Sequence, residues 1–268
     1  MSEPHRAVGW KYDLPATHAP SVVKPGIANL NPPPNHVDEI AIEIPRPPMK
    51  LRGFSLITGA ITLIATTCIT AAAIYYNFFV ATRVDLEFIA LFLAANITTI
   101  MLLVPHIRMD IEQPRDEPIR FNRKRRKVYF YQYRTDLFHP FSIKRWGIKP
   151  VVYNWDDLTA EAYRLYAPMG YGGLMEKVMI SICMPGTNEV IDRVLFADSI
   201  EVGEQYWAIV RLFMQQGPEA LPDFVHSPWD WNEGIHSNPF DQRAPKVQWP
   251  AEMDLESRTA PTSPKKQR

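Results

Sequence analysis

The pattern of apolar and polar positions changes period along the chain, and each change predicts a different kind of element. Residues 54–81, "FSLITGAITLIATTCITAAAIYYNFFVA", hold no charge over 28 positions. As a helix this run would reach about 42 Å, well beyond a hydrocarbon core of about 30 Å. After "TRVD" a second apolar segment occupies residues 86–104, and its uncharged part, 88–104, is 17 residues long, close to the shortest spanning helix. The pair predicts a transmembrane α-helical hairpin over residues 51–105. The soluble alternative is a buried helical hairpin, which seldom runs so far without a charge.

Beyond a short polar connector at 106–116 the period becomes two. Ile119 and Phe121 alternate with polar neighbours, then Val128 and Phe130 alternate with Tyr129, Tyr131 and Tyr133. Between these runs lies "NRKRR", residues 122–126, so its basic groups are expected at the tip of a β-hairpin. A third strand is predicted at 149–155, and "DDLTAEAYRLY" reads as a short helix or a bent strand. A second hairpin follows: Val178, Ile180 and Ile182, the turn "PGTN", then Val190, Val194 and Phe196. Asp198 with Glu201 three positions on is a weak capping signal for a helix whose apolar face carries Val202, Tyr206, Ile209 and Phe213. Gly217-Pro218 ends it. The expected fold class is therefore a membrane α-helical hairpin plus α+β, with an antiparallel sheet or partly open barrel over residues 117–225, capped by one C-terminal helix.

Composition changes this picture at the ends of the chain. Most of the 25 prolines fall in the first and last fifty residues. Residues 1–50 thus read as a Pro-rich tail without a cleavable signal, 226–250 as a Trp/Pro-rich extended segment and 251–268 as a disordered tail. Lys plus Arg equals Asp plus Glu at 29 each, so no global charge draws the chain to nucleic acid. Cys68 lies in the apolar run and Cys183 in a predicted strand, which suits neither a disulfide nor a zinc site. Arg46, Lys50 and Arg52 precede the first apolar helix and Arg83 lies between the two. Arg108, Arg115, Arg120 and the run at 123–127 follow the second, and the positive-inside rule then puts both termini in the cytoplasm.

Candidate chemistry is sparse. Thr58, Thr62, Thr66 and Thr70 recur every fourth residue, and with Asn96, Thr98 and Thr99 they suit close helix packing better than a polar conduit, because no ionisable group lies at depth. "GYGG" at 170–173 lacks the Lys-Ser/Thr and the following helix of a phosphate loop. Asp156 and Asp157 suit a turn or a cap, His139 a loop, and the histidines show no metal-ligand spacing. No nucleophile elbow and no Cys-His pairing is present, so the residues suggest a binding protein rather than an enzyme, with no cofactor.

Strand hairpins closed by one amphipathic helix, directly after a two-helix hairpin, resemble a bacterial pleckstrin-homology-like domain. More narrowly, "IRFNRKRRKVYFYQYR", "YNWDDLTAE" and "RLFMQQGPEALP" resemble a bacterial family of uncharacterised membrane proteins associated with type VI secretion and toxin loci. The resemblance spans roughly residues 50–225 and its motifs are structural. It implies an inner-membrane protein acting by recognition, as an immunity or accessory factor with a toxin or effector partner. The alternative is a membrane scaffold or sensor that binds anionic lipid headgroups. In such domains the first strand connection often holds headgroups, a place taken here by Arg123, Lys124, Arg125, Arg126 and Lys127. The competing readings of these charges are topology alone and contact with a protein or nucleic-acid partner. Tyr131, Trp229 and Trp231 are the candidate partner-binding aromatics, unless the tryptophans pack back on their own domain.

Overall fold

Alternating strands normally leave one face to solvent, but the strands at 41–44, 119–122 and 127–130 are buried on both faces, because the C-terminal part of the chain returns to cover them. The computed structural model describes residues 6–21, 28–46, 51–167, 173–187, 189–234 and 237–261. In chain order, β1 (Trp10–Asp13), β2 (His36–Val37) and β3 (Ala41–Ile44) precede two long helices, α1 (Phe54–Phe79) and α2 (Leu86–Glu112). Then come β4 (Ile119–Asn122), β5 (Lys127–Phe130), β6 (Tyr133–Arg134), β7 (Gly147–Ile148), β8 (Val151–Asn154), β9 (Leu158–Ala167), β10 (Gly173–Cys183) and β11 (Val190–Ala197). The helix α3 (Ile200–Gln216) follows, and α4 (Pro239–Arg243) and α5 (Ala251–Arg258) close the chain.

Two antiparallel sheets result, ordered β1-β9-β10-β11 and β2-β3-β4-β5-β8, with a small β6-β7 ladder beside them and no closed barrel. Both expected hairpins form: Ile119 lies opposite Phe130 and Asn122 opposite Lys127, while Ile180 faces Val194. The inner faces of both sheets meet α3 in one core. Trp155 stands at its centre, its ring 5.0 Å from that of Trp207 and 5.9 Å from that of Phe121. Tyr206, Ile209 and Phe213 bury the predicted face of α3. Gly203 lets that helix approach the sheet, since a Cβ there would meet Val178 Cγ2 at 2.3 Å. Its cap is Ser199, whose side chain accepts from Val202 N, rather than Asp198.

Three expectations are corrected. Residues 1–50 are not merely a tail: Trp10–Asp13 pairs with β9, and Ala41–Ile44 pairs with β4 residue by residue. Their apolar side chains are too short a run to stand out in sequence, yet Ile42 and Ile44 are fully buried. Residues 106–116 are not simply a connector, because α2 continues to Glu112 through Pro105. Of the expected disordered tail at 251–268, residues 251–258 form α5, which lies over β4, and 262–268 lie outside the described residues. In the segment left open between helix and strand, "DDLTAEAYRLY", the two aspartates end a short turn and the chain from Leu158 onward is strand β9.

The helices α1 and α2 are 26 and 27 residues long, long and apolar enough to cross a bilayer, and only 11% and 6% of their most apolar windows are buried. The buried core hairpin is thereby set aside. What they bury is a seam against each other. Among the withdrawn positions, Gly59, Leu63, Thr66, Thr70, Ala73 and Asn77 on α1 and Ile89, Phe92, Asn96, Thr99 and Leu103 on α2 follow a spacing that alternates between three and four. That is the 3.5-residue period of left-handed helix pairs. The threonine stripe advances by four, so it drifts: Thr58 and Thr62 are exposed and Thr70 is buried. Each of these hydroxyls donates to the carbonyl four residues back, at 2.7 to 2.9 Å, and so satisfies itself within its own helix. At the far end Asn77 donates to Asp85 O and accepts from Asp85 N, while Asp85 caps α2 through Glu87 N and Phe88 N.

Candidate functional site

The basic turn is where the sequence places it, at residues 123–126, with Arg126 in the left-handed region at φ 52°. Its charges, however, are largely engaged within the chain. Arg125 donates through Nε to Thr259 O at 2.8 Å and through Nη2 to Ala260 O at 3.0 Å, just past the C-terminus of α5, where a helix carries partial negative charge. Arg126 makes a two-pronged ion pair with Asp156, and Lys127 Nζ reaches Glu256 Oε1 at 2.7 Å. Arg123 packs on Gly217, and Lys124 alone of the five is exposed with no intramolecular partner among the described residues. Asp156 therefore answers a basic residue and Asp157 accepts from Asn154, in keeping with turn chemistry.

Tyr131 is corrected as a partner-binding residue. It is fully buried, its ring lies 5.1 Å from that of Trp249, and its hydroxyl accepts from Gln248 N at 3.1 Å. Trp249 belongs to the C-terminal strap that covers the outer sheet face, which alternation alone would leave open. Trp229 and Trp231 form an edge-on pair 5.1 Å apart. Their backbone is tied to the N-terminal segment, with Trp229 N donating to Pro34 O and Trp231 N to Asn35 Oδ1. A Cβ on Gly234 would lie 1.9 Å from Trp229 Cζ2, so this glycine seats the ring. The pair packs on its own domain while Trp229 keeps 40% of its surface exposed.

Two polar constellations escape the sequence reading. The first is a clasp at the base of the hairpin. Arg52, buried, donates to the carbonyls of Asp110, Gln113 and Pro114 at 2.7 to 2.9 Å and pairs with Asp241 on α4 at 3.0 Å. Asp110 in turn accepts from Leu56 N, capping the start of α1, and Asn238 donates to Arg52 O. The second is a buried relay. Arg46 bonds to Glu117 O, Leu195 O and Tyr131 O, bridging the two sheets. Asp116 accepts from Arg46 N at 2.6 Å and Asn35 Nδ2 at 2.8 Å, and Arg120 joins Glu43 to Asp254 and Ser257. Burial pushes the Asp116 carboxyl up to about 7, with the charge of Glu43 adding to it and the bonds from Asn35 and the backbone opposing.

A cleft of about 290 Å³ opens beside this relay, lined by Pro32, Pro45, Phe196, Val202, Arg46 and Asp198. Burial raises the Asp198 carboxyl, while Lys177 and Arg46 pull it down. Arg46 makes four side-chain bonds within the fold, Ser199 is the cap of α3 and Tyr206 donates to Pro32 O, so most of the polar lining is already committed to the fold. "GYGG" lies outside the described residues except for Gly173, which opens β10. His139 sits in a loop and pairs with Asp136. Among the described residues no group of three or more His, Cys, Asp or Glu is arranged to hold a metal ion.

The raised Asp116 carboxyl predicts a pH signature. The native state keeps a proton that the unfolded chain releases near 3.8, so this group's contribution to stability is complete below that pH and is lost as pH rises toward about 7. In detergent-solubilised full chain, the Tm of wild type relative to Asp116→Asn is expected to fall steadily between about pH 4 and 7 and to level off above. A Tm difference independent of pH contradicts it.

Comparison with known proteins adds one match. A family model described as a family of unknown function, DUF6708, matches residues 96–242, more than half of the chain, from mid-α2 through most of α4. No curated protein and no solved structure matches the sequence. The strands β4 to β11, the helix α3 and the Trp229/Trp231 turn all lie within the matched span, and the chain belongs to this family, DUF6708.

Proposed function

We propose that the protein is a membrane-anchored binding protein, not an enzyme, whose soluble domain is held at a bilayer surface by α1 and α2 acting as transmembrane helices. The observation that carries this reading is the exposed apolar hairpin, clasped to a folded domain through buried Arg52. Exposure of this much apolar surface is unfavourable in water at about 25 cal/mol per Å² and favourable in lipid. In the proposed topology both termini are cytoplasmic, in a bacterial inner membrane. The basic residues flanking the hairpin support it, since only Arg83 lies in the short loop between the helices.

Two antiparallel sheets closed by one helix support a pleckstrin-homology-like domain as the binding unit. The proposed partner is a protein, in the immunity or accessory role suggested by the resemblance to families of secretion and toxin loci. Partly exposed Trp229 and the N-terminal edge it packs on offer an anchor for it. Tethering at the membrane would raise the local concentration of such a binder where a toxin arrives.

Cysteine-accessibility labelling in intact bacterial cells is expected to modify a cysteine placed at Arg83 and to spare one placed at Asp223. External labelling at Asp223 overturns the topology. Expression in a strain sensitive to a toxin encoded beside the gene is expected to restore growth, with Trp229→Ala weakening protection at unchanged abundance. Loss of secretion without any protection would replace the immunity role by a scaffold.

A further inference from the structure

Between β5 and β8 the chain makes an excursion, residues 132–150, that contributes no side chain to the core shared by the two sheets and α3. Its stem is the β6-β7 ladder, Tyr133 opposite Ile148 and Arg134 opposite Gly147. Inside it, Trp146 is buried and donates to His139 O at 3.0 Å. Asp136 accepts from Phe138 N and His139 N and pairs with His139 and Arg145. The loop is therefore internally braced, in the manner of a compact Ω-loop.

This braced loop presents large apolar side chains outward. Phe138 is 93% exposed, Ile143 85%, Phe141 62% and Leu137 52%. Four such residues on one short, fixed loop form a patch of a kind that marks an interaction surface. Its position says with what. Arg108, in the last turns of α2, donates to Pro140 O at 2.9 Å and Ser142 O at 3.0 Å and lies 4.7 Å from the centre of the Trp146 ring. Phe141 and Ile143 share an apolar groove with Val104, Ile107 and Ile111. Val104 ends the uncharged run of α2, so the loop turns back along the helix, over about 12 Å from Glu112, to the level where the apolar surface begins. Beside the apolar tip lies a basic flank. An open hollow of about 500 Å³ is lined by Arg134, Arg145 and Lys149, with Phe138 at its edge, and Lys144 is exposed nearby. Asp136 is the one acidic residue in this stretch.

We infer that residues 134–149 are a second membrane-contact element: Leu137, Phe138, Phe141 and Ile143 enter the boundary of the lipid leaflet, and Arg134, Lys144 and Lys149 meet anionic headgroups. The inference rests on the proposed spanning of α1 and α2 and deepens it. Continuity with the apolar surface of α2 favours lipid over a protein partner, and the cationic flank matches an anionic leaflet. It also moves lipid contact away from the 123–126 turn, whose Arg125 and Arg126 are already paired.

The test uses the full chain with Cys68 and Cys183 replaced by serine, reconstituted in vesicles of phosphatidylcholine and phosphatidylglycerol. An environment-sensitive fluorophore is placed on a single cysteine at Phe138, Ile143, Lys124 or Leu91, and quenching is read with lipids spin-labelled near the headgroup end of the acyl chain or deep within it. Probes at Phe138 and Ile143 are expected to be quenched several-fold more by the shallow label than the probe at Lys124. Lys144→Gln with Lys149→Gln should reduce that quenching in the mixed vesicles, and leave it unchanged in phosphatidylcholine alone. The probe at Leu91 reports the span itself through the deep label. Quenching at Leu91 with none at Phe138 or Ile143 overturns the loop inference and keeps the anchor. No quenching at Leu91 overturns the anchor. Protection of Phe138 and Ile143 by a second copy of the chain, seen as energy transfer between labelled copies without lipid quenching, also overturns the inference.

Discussion

A buried guanidinium, that of Arg52, ties together the two unlike halves of this molecule. A helical hairpin suited to hydrocarbon and a β-rich domain suited to water meet in an apolar groove, where Phe141 and Ile143 lie beside Val104, Ile107 and Ile111, and that contact needs a polar, directional joint to fix it. Arg52 meets that need because it stands at the C-terminal end of α2, where unpaired carbonyls carry partial negative charge, and its planar fork reaches three of them at once. Its remaining edge takes Asp241, which draws α4 and the C-terminal strap to the same point. Asp110 repeats the logic with opposite sign, its carboxylate receiving an N–H at the start of α1. Entry, exit and strap are thus fixed together.

From that clasp the rest of the domain follows as a matter of covering. The strap that α4 starts continues to Trp249 and α5, and these close the sheet face that carries Tyr129 and Tyr131. The relay from Arg46 through Asp116, Asn35 and Glu43 to Arg120 and Asp254 binds three stretches of chain remote in sequence. Breaking one partner of such a buried set typically costs about 3–5 kcal/mol, because the other is left charged and unpaired. These buried polar groups are committed to holding the fold, and the two helices and the loop at 134–149 carry large exposed apolar side chains.

What could be read from the sequence is what repeats locally. The apolar runs, both β-hairpins and the apolar face of α3 follow from period and turn chemistry over a dozen residues. Long-range contacts were not legible. Ile42 and Ile44 make a strand only because β4 lies beside them, and Tyr131 looked free because the residue that covers it, Trp249, is more than a hundred positions away. Arg52 and Arg46 were legible as charges flanking an apolar run, which orientation rules count, but not as buried donors. The basic turn illustrates the same gap, since its charge was evident and its partners Asp156, Glu256 and the end of α5 were not. Residues 135–146 have no period at all, and only their exposure in the fold separates them from an ordinary loop.

The claim that the hairpin and the domain form one unit through Arg52 is tested most directly by a distance measurement across the joint. Spin labels on cysteines placed at Leu91 and Lys124, in full chain lacking Cys68 and Cys183 and reconstituted in bilayers, report the position of the domain relative to α2 by pulsed electron resonance. Wild type is expected to give one narrow distance distribution, and Arg52→Met, which leaves Asp241 and the α2 carbonyls without their cation, a broad one. Equally narrow distributions in both, or a broad one in wild type, would contradict the account.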